Sequence, residues 1–403
     1  MPGTRFDPLA AVRTADGPEF DVFVWGTVFL DIIFTGLEAR PAPGTEVWTD
    51  GMASCPGGIA NLAIAARRLG LRTSLAAAFS EDDYGDFCWR TLAEQEHVDL
   101  SRSRQFPDWH SPVTVSMSVD RDRMMVTHEH PSPLPASELI GQPPRSRVVM
   151  IDLVDCAREA SQRSGPTWVD LARDSGSLVF ADVGWDASEK WHPDVLEHLS
   201  GCYGFIPNAV EAMAYTRTET PQDALYALAD RVPVAVVTNG SHGALAIDNT
   251  TGEEAAVPAL RVQSLDPTGA GDVFGAAFVV GTLARWRLAD RLSFASLCSA
   301  LALQQFGGSL AAPGWGDILD WWQDLEADAV HDSYHASVLR RYAFLADIVP
   351  KVPREACRRA TATIARHGDV GGPWLTSGGG PDRSALDERR RQLHAPLLPR
   401  RAT

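Results

Sequence analysis

The chain has 403 residues, of which 45% are hydrophobic and 22% charged, a composition that supports a buried core. Its 36 Lys and Arg stand against 52 Asp and Glu, a formal charge of −16. That balance argues against nucleic acid or an acidic membrane surface as a partner, because phosphate needs a basic footprint.

Residues 1–19 read as a loose polar leader without the apolar segment of a secretion signal, so a cytoplasmic location is expected. The first strand signal is the apolar run Phe20–Phe34, broken at Gly26 and Asp31. A helix is predicted over Ile59–Leu69, with Ile59, Leu62, Ala63, Ala66 and Leu69 on one face and Gly70 ending it. Leu71–Ala78 reads as a strand and Asp83–Glu96 as a helix. Pro112–Thr127 alternates with period two around a turn at Asp120–Arg123, the pattern of a hairpin. Short apolar runs at Val148–Leu153, Ser177–Asp182, Cys202–Pro207 and Val234–Thr238 then alternate with helical stretches. The last long helix is expected over Leu288–Gln305.

This order predicts an α/β fold whose mainly parallel sheet is covered by helices on both faces. Segments at about 35–55 and 111–128 break the alternation and suit a small β lid. The main domain is expected to span residues 20–325. Residues 326–403 carry a more basic extension, partly helical near Tyr334–Ile348 and partly disordered.

Lysine occurs only at Lys190 and Lys351, and neither lies in a Gly-x-x-x-x-Gly-Lys loop or a protein-kinase strand. Any ATP chemistry must therefore use another scaffold. The six cysteines form no Cys-x-x-Cys pair, so buried reduced thiols are expected.

The sharpest chemical signal is Asp266-Pro-Thr-Gly-Ala-Gly-Asp-Val-Phe-Gly-Ala-Ala-Phe278, a glycine-rich turn running into an apolar helix. The first turn of a helix carries unpaired amides at the positive end of the helix dipole, and small residues let an anion approach them. Asp272 would then stand beside that anion. Two readings follow from the residues alone: a general base taking a hydroxyl proton, or an ordinary helix-capping Asp.

The segment resembles the C-terminal signature of the PfkB/ribokinase family of carbohydrate kinases. Other features of that family follow in the same order. Gly57-Gly58 with Asn61 and the helix after it resemble the N-terminal signature, and Asp31 resembles the sugar-binding Asp. Asn208-Ala-Val-Glu211 resembles the N-x-x-E motif, and Thr238-Asn-Gly240-Ser-His-Gly243 resembles the nucleotide loop. The resemblance covers about residues 20–320 and implies a ribokinase-like three-layer α/β/α sandwich with a β lid.

It further implies ATP and Mg²⁺ as cofactors and a small carbohydrate as acceptor. Asp272 becomes the general base, and the amides of Gly269, Ala270 and Gly271 the anion hole. Asp31, Gly57, Gly58 and Asn61 would bind the acceptor. Thr238, Gly240, Gly243 and Asn208 would bind the nucleotide, and Glu211 would hold Mg²⁺ through water. Asp266 matches either a position linked to K⁺ in some relatives or a turn-forming Asp. A nucleoside kinase and a non-catalytic sugar-binding or regulatory protein are the alternatives on this scaffold, and a homodimer through the lid is expected.

Two departures stand out: one residue fewer than usual between Gly58 and Asn61, and Pro267 in place of the commoner Thr. Trp25, Trp109 and Trp185 read as pocket or packing residues, and Asp186 as a turn or site residue.

Overall fold

The computed structural model describes residues 6–352, apart from 36, 38, 50, 120, 121, 163, 187 and 306. The turn expected at 120–123 falls partly, and the stretch of the extension expected to be disordered wholly, outside the described residues.

In chain order the elements are β1 (Phe20–Trp25), β2 (Val28–Thr35), β3 (Gly51–Gly58), α1 (Ile59–Arg68), β4 (Thr73–Ala76), β5 (Ala78–Ser80) and α2 (Asp83–Arg90). Then follow β6 (Arg104–Phe106), β7 (Val113–Val119), β8 (Asp122–His128), α3 (Ala136–Ile140), β9 (Ser146–Asp152), α4 (Leu153–Ser161), α5 (Trp168–Asp174) and β10 (Leu178–Asp182). The third stretch holds β11 (Gly204–Phe205), α6 (Ala209–Thr216), α7 (Pro221–Ala229), β12 (Val234–Thr238), β13 (Ala244–Asp248) and β14 (Glu253–Val257). Four helices close the described chain: α8 (Ala270–Leu283), α9 (Leu288–Leu303), α10 (Trp315–Asp328) and α11 (Ser333–Arg341).

The main sheet has eight strands in the order β14-β13-β12-β11-β10-β9-β1-β4. It is parallel from β12 to β4, while β13 and β14 form an antiparallel edge hairpin that the sequence reading did not anticipate. Alternate residues of each strand enter different layers. Val22, Val24, Val148, Met150, Val234 and Val236 join the layer of α1, α8 and α9. Phe23, Val149, Ile151, Val179, Ala235 and Val237 join Trp168, Leu225 and Leu228 on the other side. Both faces are therefore apolar and covered, which is why these strands read as continuous hydrophobic runs.

The lid is a separate four-stranded sheet in the order β3-β2-β7-β8. Its extent corrects the sequence reading. The apolar run Phe20–Phe34 is not one strand: β1 belongs to the main sheet, and β2 starts the lid at Val28. Asp31 therefore lies in mid-strand of the lid, paired with Cys55 and Thr114 on its neighbours, and does not break a strand. The lid also reaches past residue 55 to Gly58, so the glycine pair is the last of β3 and leads directly into α1.

Both ends of the main domain are more tightly held than expected. The described part of the leader, from residue 6, is not loose: Leu9 is fully buried, and Arg13 bridges Asp7 and the fully buried Asp21. Arg72 and Arg147 also approach Asp21. At the other end, the boundary placed at 325 falls inside α10, and Tyr342, Leu345 and Val349 beyond α11 join the core. The fully buried Tyr342 donates its hydroxyl to the Ser293 carbonyl at 2.9 Å, fixing this segment to α9.

Helix α1 is closed as expected at Gly70: the Gly70 amide donates to the Arg67 carbonyl and the Leu71 amide to that of Ala66. Its last residue, Arg68, forms a buried two-pronged pair with Glu96 at 3.1 and 3.0 Å. Arg68 also donates to the carbonyls of Leu310 and Ala312. That contact ties α1 to the segment after Gly308, next to Asp266. Removing one partner of such a pair costs about 3–5 kcal/mol, because the other charge stays buried.

Candidate active site

The site is built where the C-terminal ends of the parallel strands meet the N-termini of α1, α6 and α8. Helix α8 starts at Gly269, which has φ 75° and makes no side-chain cap. Only glycine takes that left-handed conformation without a Cβ penalty of about 1 kcal/mol or more. A Cβ at Gly269 would also stand 3.3 Å from Asn61 Cγ. Around Gly271 the space is open: a Cβ there would meet nothing within 4 Å. The Ala270 amide donates to the Pro267 carbonyl at 3.3 Å, a long turn bond.

Asp272 is the third residue of α8. Asn61, the third residue of α1, donates Nδ2 to Asp272 Oδ2 at 3.1 Å across 211 positions of sequence. The two helices pack together, so the glycine-led starts of both converge on this carboxylate. The shortened spacing after Gly58 thus still delivers Asn61 to the site.

Under the lid, Asp31 is only 4% exposed. Its carboxylate lies where a side chain at Gly57 would be, with Oδ2 1.9 Å from the ideal Cβ position. Glycine at 57 is therefore a requirement of close approach. Cys55, opposite Asp31, is fully buried, and burial first, then Asp31, pushes its thiol up to about 12. Such a thiol is inert at neutral pH.

Asn208 and Glu211 form a reciprocal capping box at the start of α6. The Glu211 amide donates to Asn208 Oδ1 at 3.0 Å, and the Asn208 amide to Glu211 Oε2 at 2.9 Å. Asn208 also bridges Thr238 at the end of β12, so the N-x-x-E motif and the Thr238–Gly243 loop are neighbours. Gly240 and Gly243 both have positive φ and flank the short helical turn between β12 and β13.

Asp266 is 2% exposed. Its oxygens accept from the amides of Thr268 at 3.0 Å and Gly308 at 3.4 Å. These bonds hold the turn before α8 to the segment at Gly308.

Two carboxylates that sequence reasoning passed over join this region. Asp152 and Asp182 are the last residues of β9 and β10 and are register partners. Asp152 accepts from the amides of Asp155 at 2.8 Å and Gly184 at 3.2 Å, tying two loops together. Burial raises the Asp182 carboxyl well above its ordinary range, and the neighbouring Glu211, Asp272 and Asp152 add to the rise. Burial likewise raises Glu211, against the pull of its bonds to Asn208. The available signal was positional: in open α/β sheets, ligands bind outside the carboxyl ends of the strands.

The remaining aromatic and turn residues sort more simply. Trp25 packs edge-on against the core residue Trp168, and Trp109 donates to the Pro131 carbonyl. Asp186 holds its own turn through Ser188 and Trp191. Trp185 stands 62% exposed beside Trp191. Among the described residues no group of three or more His, Cys, Asp or Glu is placed to hold a metal ion by itself, and no helix is long and apolar enough to cross a membrane.

Comparison with known proteins bears on the fold and the family. The chain is 23% identical over 328 residues to a 5-dehydro-2-deoxygluconokinase of Shouchella clausii, covering 76% of this chain and 97% of that protein. It is 28% identical to an aminoimidazole riboside kinase of Salmonella typhimurium, covering 64% and 85%. Among solved structures, Arabidopsis thaliana ribokinase complexed with ribose and ATP superposes with a TM-score of 0.59 at 22% identity, over 75% of this chain and 98% of that one. Aminoimidazole riboside kinase of Salmonella enterica gives 0.56 at 24% identity, over 73% and 97%. These likenesses carry the ribokinase-like fold. Residues 20–314 match the model of the pfkB family of carbohydrate kinases. The chain belongs to that family, whose members are phosphotransferases acting on an alcohol group.

Proposed function

We propose that this kinase transfers the γ-phosphoryl group of Mg-ATP to a hydroxyl of a small carbohydrate, with Asp272 as general base. The observation that carries the reading is the start of α8. A glycine-led helix end with open space at Gly271 places a carboxylate, held by Asn61, beside amides at the positive end of the helix dipole.

In this reading the acceptor lies under the lid between Asp31 and Asp272. Asp31 accepts hydrogen bonds from acceptor hydroxyls and fixes which one faces Asp272. The amides of Gly269 and Gly271 stabilise charge on the transferring group, while that of Ala270 is used mainly in the turn. Asp272 takes the proton as the hydroxyl oxygen bonds to phosphorus and ADP leaves. An ordinary carboxylate is a weak base, so that proton moves late, as the phosphoryl group bonds.

Thr238, Gly240, Gly243 and Asn208 lie together on the β12 side and would hold the nucleotide. The residues fit a magnesium ion brought by the nucleotide. Asp182 and Glu211 are crowded carboxyls that a cation would relieve, and Mg²⁺ bound largely by phosphate and water needs only one or two of them. When bound, the ion supplies charge neutralisation of the phosphates; Glu211 would hold it through water.

The test is ADP release with Mg-ATP over a panel of pentoses, hexoses, keto-sugar acids and nucleosides, beside Asp272→Asn. The general-base range predicts a kcat loss of about 10²–10⁴. Wild-type turnover in the variant would refute the assignment. Nucleosides belong in the panel because similar proteins include an aminoimidazole riboside kinase and a nucleoside kinase. Exposed Met52, Met125 and Val126 on the lid support a homodimer through this sheet. Sedimentation showing a monomer at micromolar concentration would remove it.

A further inference from the structure

We infer that Asn61 is a positioning residue for the base: it orients Asp272 through Nδ2 and completes its own hydrogen bonding only when the acceptor is present. The inference rests on Asp272 being the base and adds what sets its geometry.

Three observations point to it. First, Asn61 sits in the first turn of α1, where a side chain of its type commonly turns back to cap its own helix. Here it instead donates to a residue of another helix at 3.1 Å. Second, Asn61 is only 7% exposed, and its Oδ1 is buried without a hydrogen-bond partner. A buried polar atom in that state carries a standing desolvation cost. A hydroxyl donor from the acceptor would remove it. Third, Asn61 packs against Gly269, so it is wedged between the helix cap and the base. The amide is thus committed on its nitrogen side to Asp272 and vacant on its oxygen side.

The consequence is a split between the two atoms of one amide. Nδ2 bears on the chemical step, because its bond to Oδ2 fixes the rotation of the Asp272 carboxylate that takes the proton. Oδ1 bears on acceptor binding. Loss of a hydrogen bond to a charged group corresponds to about a tenfold to hundredfold effect, and a misplaced base falls in the same range.

The test uses Asn61→Asp and Asn61→Leu in the full chain, with the acceptor that the panel identifies. Asn61→Asp keeps an oxygen acceptor but loses the donor. It also sets a second negative charge beside Asp272, which disfavours full ionisation of the pair. Its kcat is expected to fall about tenfold to hundredfold, with acceptor KM within about threefold of wild type. Asn61→Leu is expected to lose kcat and to raise acceptor KM as well. In an Asp272→Asn background, Asn61→Leu is expected to lower kcat no further, because its effect runs through the missing carboxylate.

A kcat within twofold of wild type for Asn61→Asp would overturn the inference, as would a full multiplicative loss in the double variant. An active Asp272→Asn would instead refute the base assignment itself. Mg-ATP protection against thermal unfolding in each variant shows whether the fold and nucleotide site are intact. Asn61→Ser replaces Leu if that variant does not fold.

Discussion

Helices α6 and α8 both begin at the working edge of the sheet, and both carry an acid as their third residue. At α6, Glu211 turns back to its own N-cap and Asn208 returns the bond, so the helix start satisfies itself. At α8 the cap is Gly269, which has no side chain to offer, and Asp272 is held from outside by Asn61 of α1. One pattern in sequence gives two kinds of helix end. A self-capped end is rigid scaffold with its first amides partly used. A glycine-led end leaves room and donors for a ligand, and its acid answers to a neighbouring helix. In the proposed mechanism, chemistry falls to α8 and positioning to α6.

The comparison breaks first at Asp272. Asp272→Asn is expected to lose about 10²–10⁴ in kcat, while the melting temperature stays close to wild type, read by turnover and thermal unfolding. Gly269→Ala should come next. It puts a Cβ at φ 75° and against Asn61, costing about 1–2 kcal/mol of stability and about tenfold or more in kcat.

At α6 stability should fall together with nucleotide binding. Asn208→Ala removes the cap and should cost about 0.5–2 kcal/mol, read by denaturant unfolding, and should raise KM for ATP; unchanged stability would contradict the capping role. The smallest effect is expected at Asp182, between the two helices. Its folded-state carboxyl is raised. It therefore favours folding only at low pH, and that contribution is lost as pH rises from the unfolded-state value through the folded one. Asp182→Asn keeps the oxygen that accepts the Val183 amide. It should raise the melting temperature by roughly 1–3 °C at pH 8 and by less as the pH is lowered, because the penalty fades as the wild-type carboxyl takes up a proton.

The parallel strands were legible because burial on both faces leaves little but Val, Ile, Ala and Phe in them. Residues 148–153, 177–182 and 234–238 accordingly match β9, β10 and β12 closely. The Phe20–Phe34 run was misread because periodicity reports burial and not which sheet does the burying. Gly26 marks the break between β1 and β2, but only pairing with β3 and β7 shows that Asp31 has crossed into the lid. The leader was read as loose because it is polar, and the extension as only partly helical because Pro, Gly and Arg crowd its later part. The contacts that hold them, Arg13 on Asp21 and Tyr342 on Ser293, join residues that no local pattern connects.

The sequence by itself determined the sheet's chemistry, the closure of α1 at Gly70 and the glycine-led start of α8, because each is set by residues within a few positions of one another. Tertiary structure alone decided that Asn61 meets Asp272, that Asp31 lies over Gly57, and that Asp152 and Asp182 share an edge with Glu211. These depend on strand order and helix packing, which bring together side chains separated by tens to hundreds of positions. At such separations chain connectivity no longer restricts which groups can meet; burial and register do.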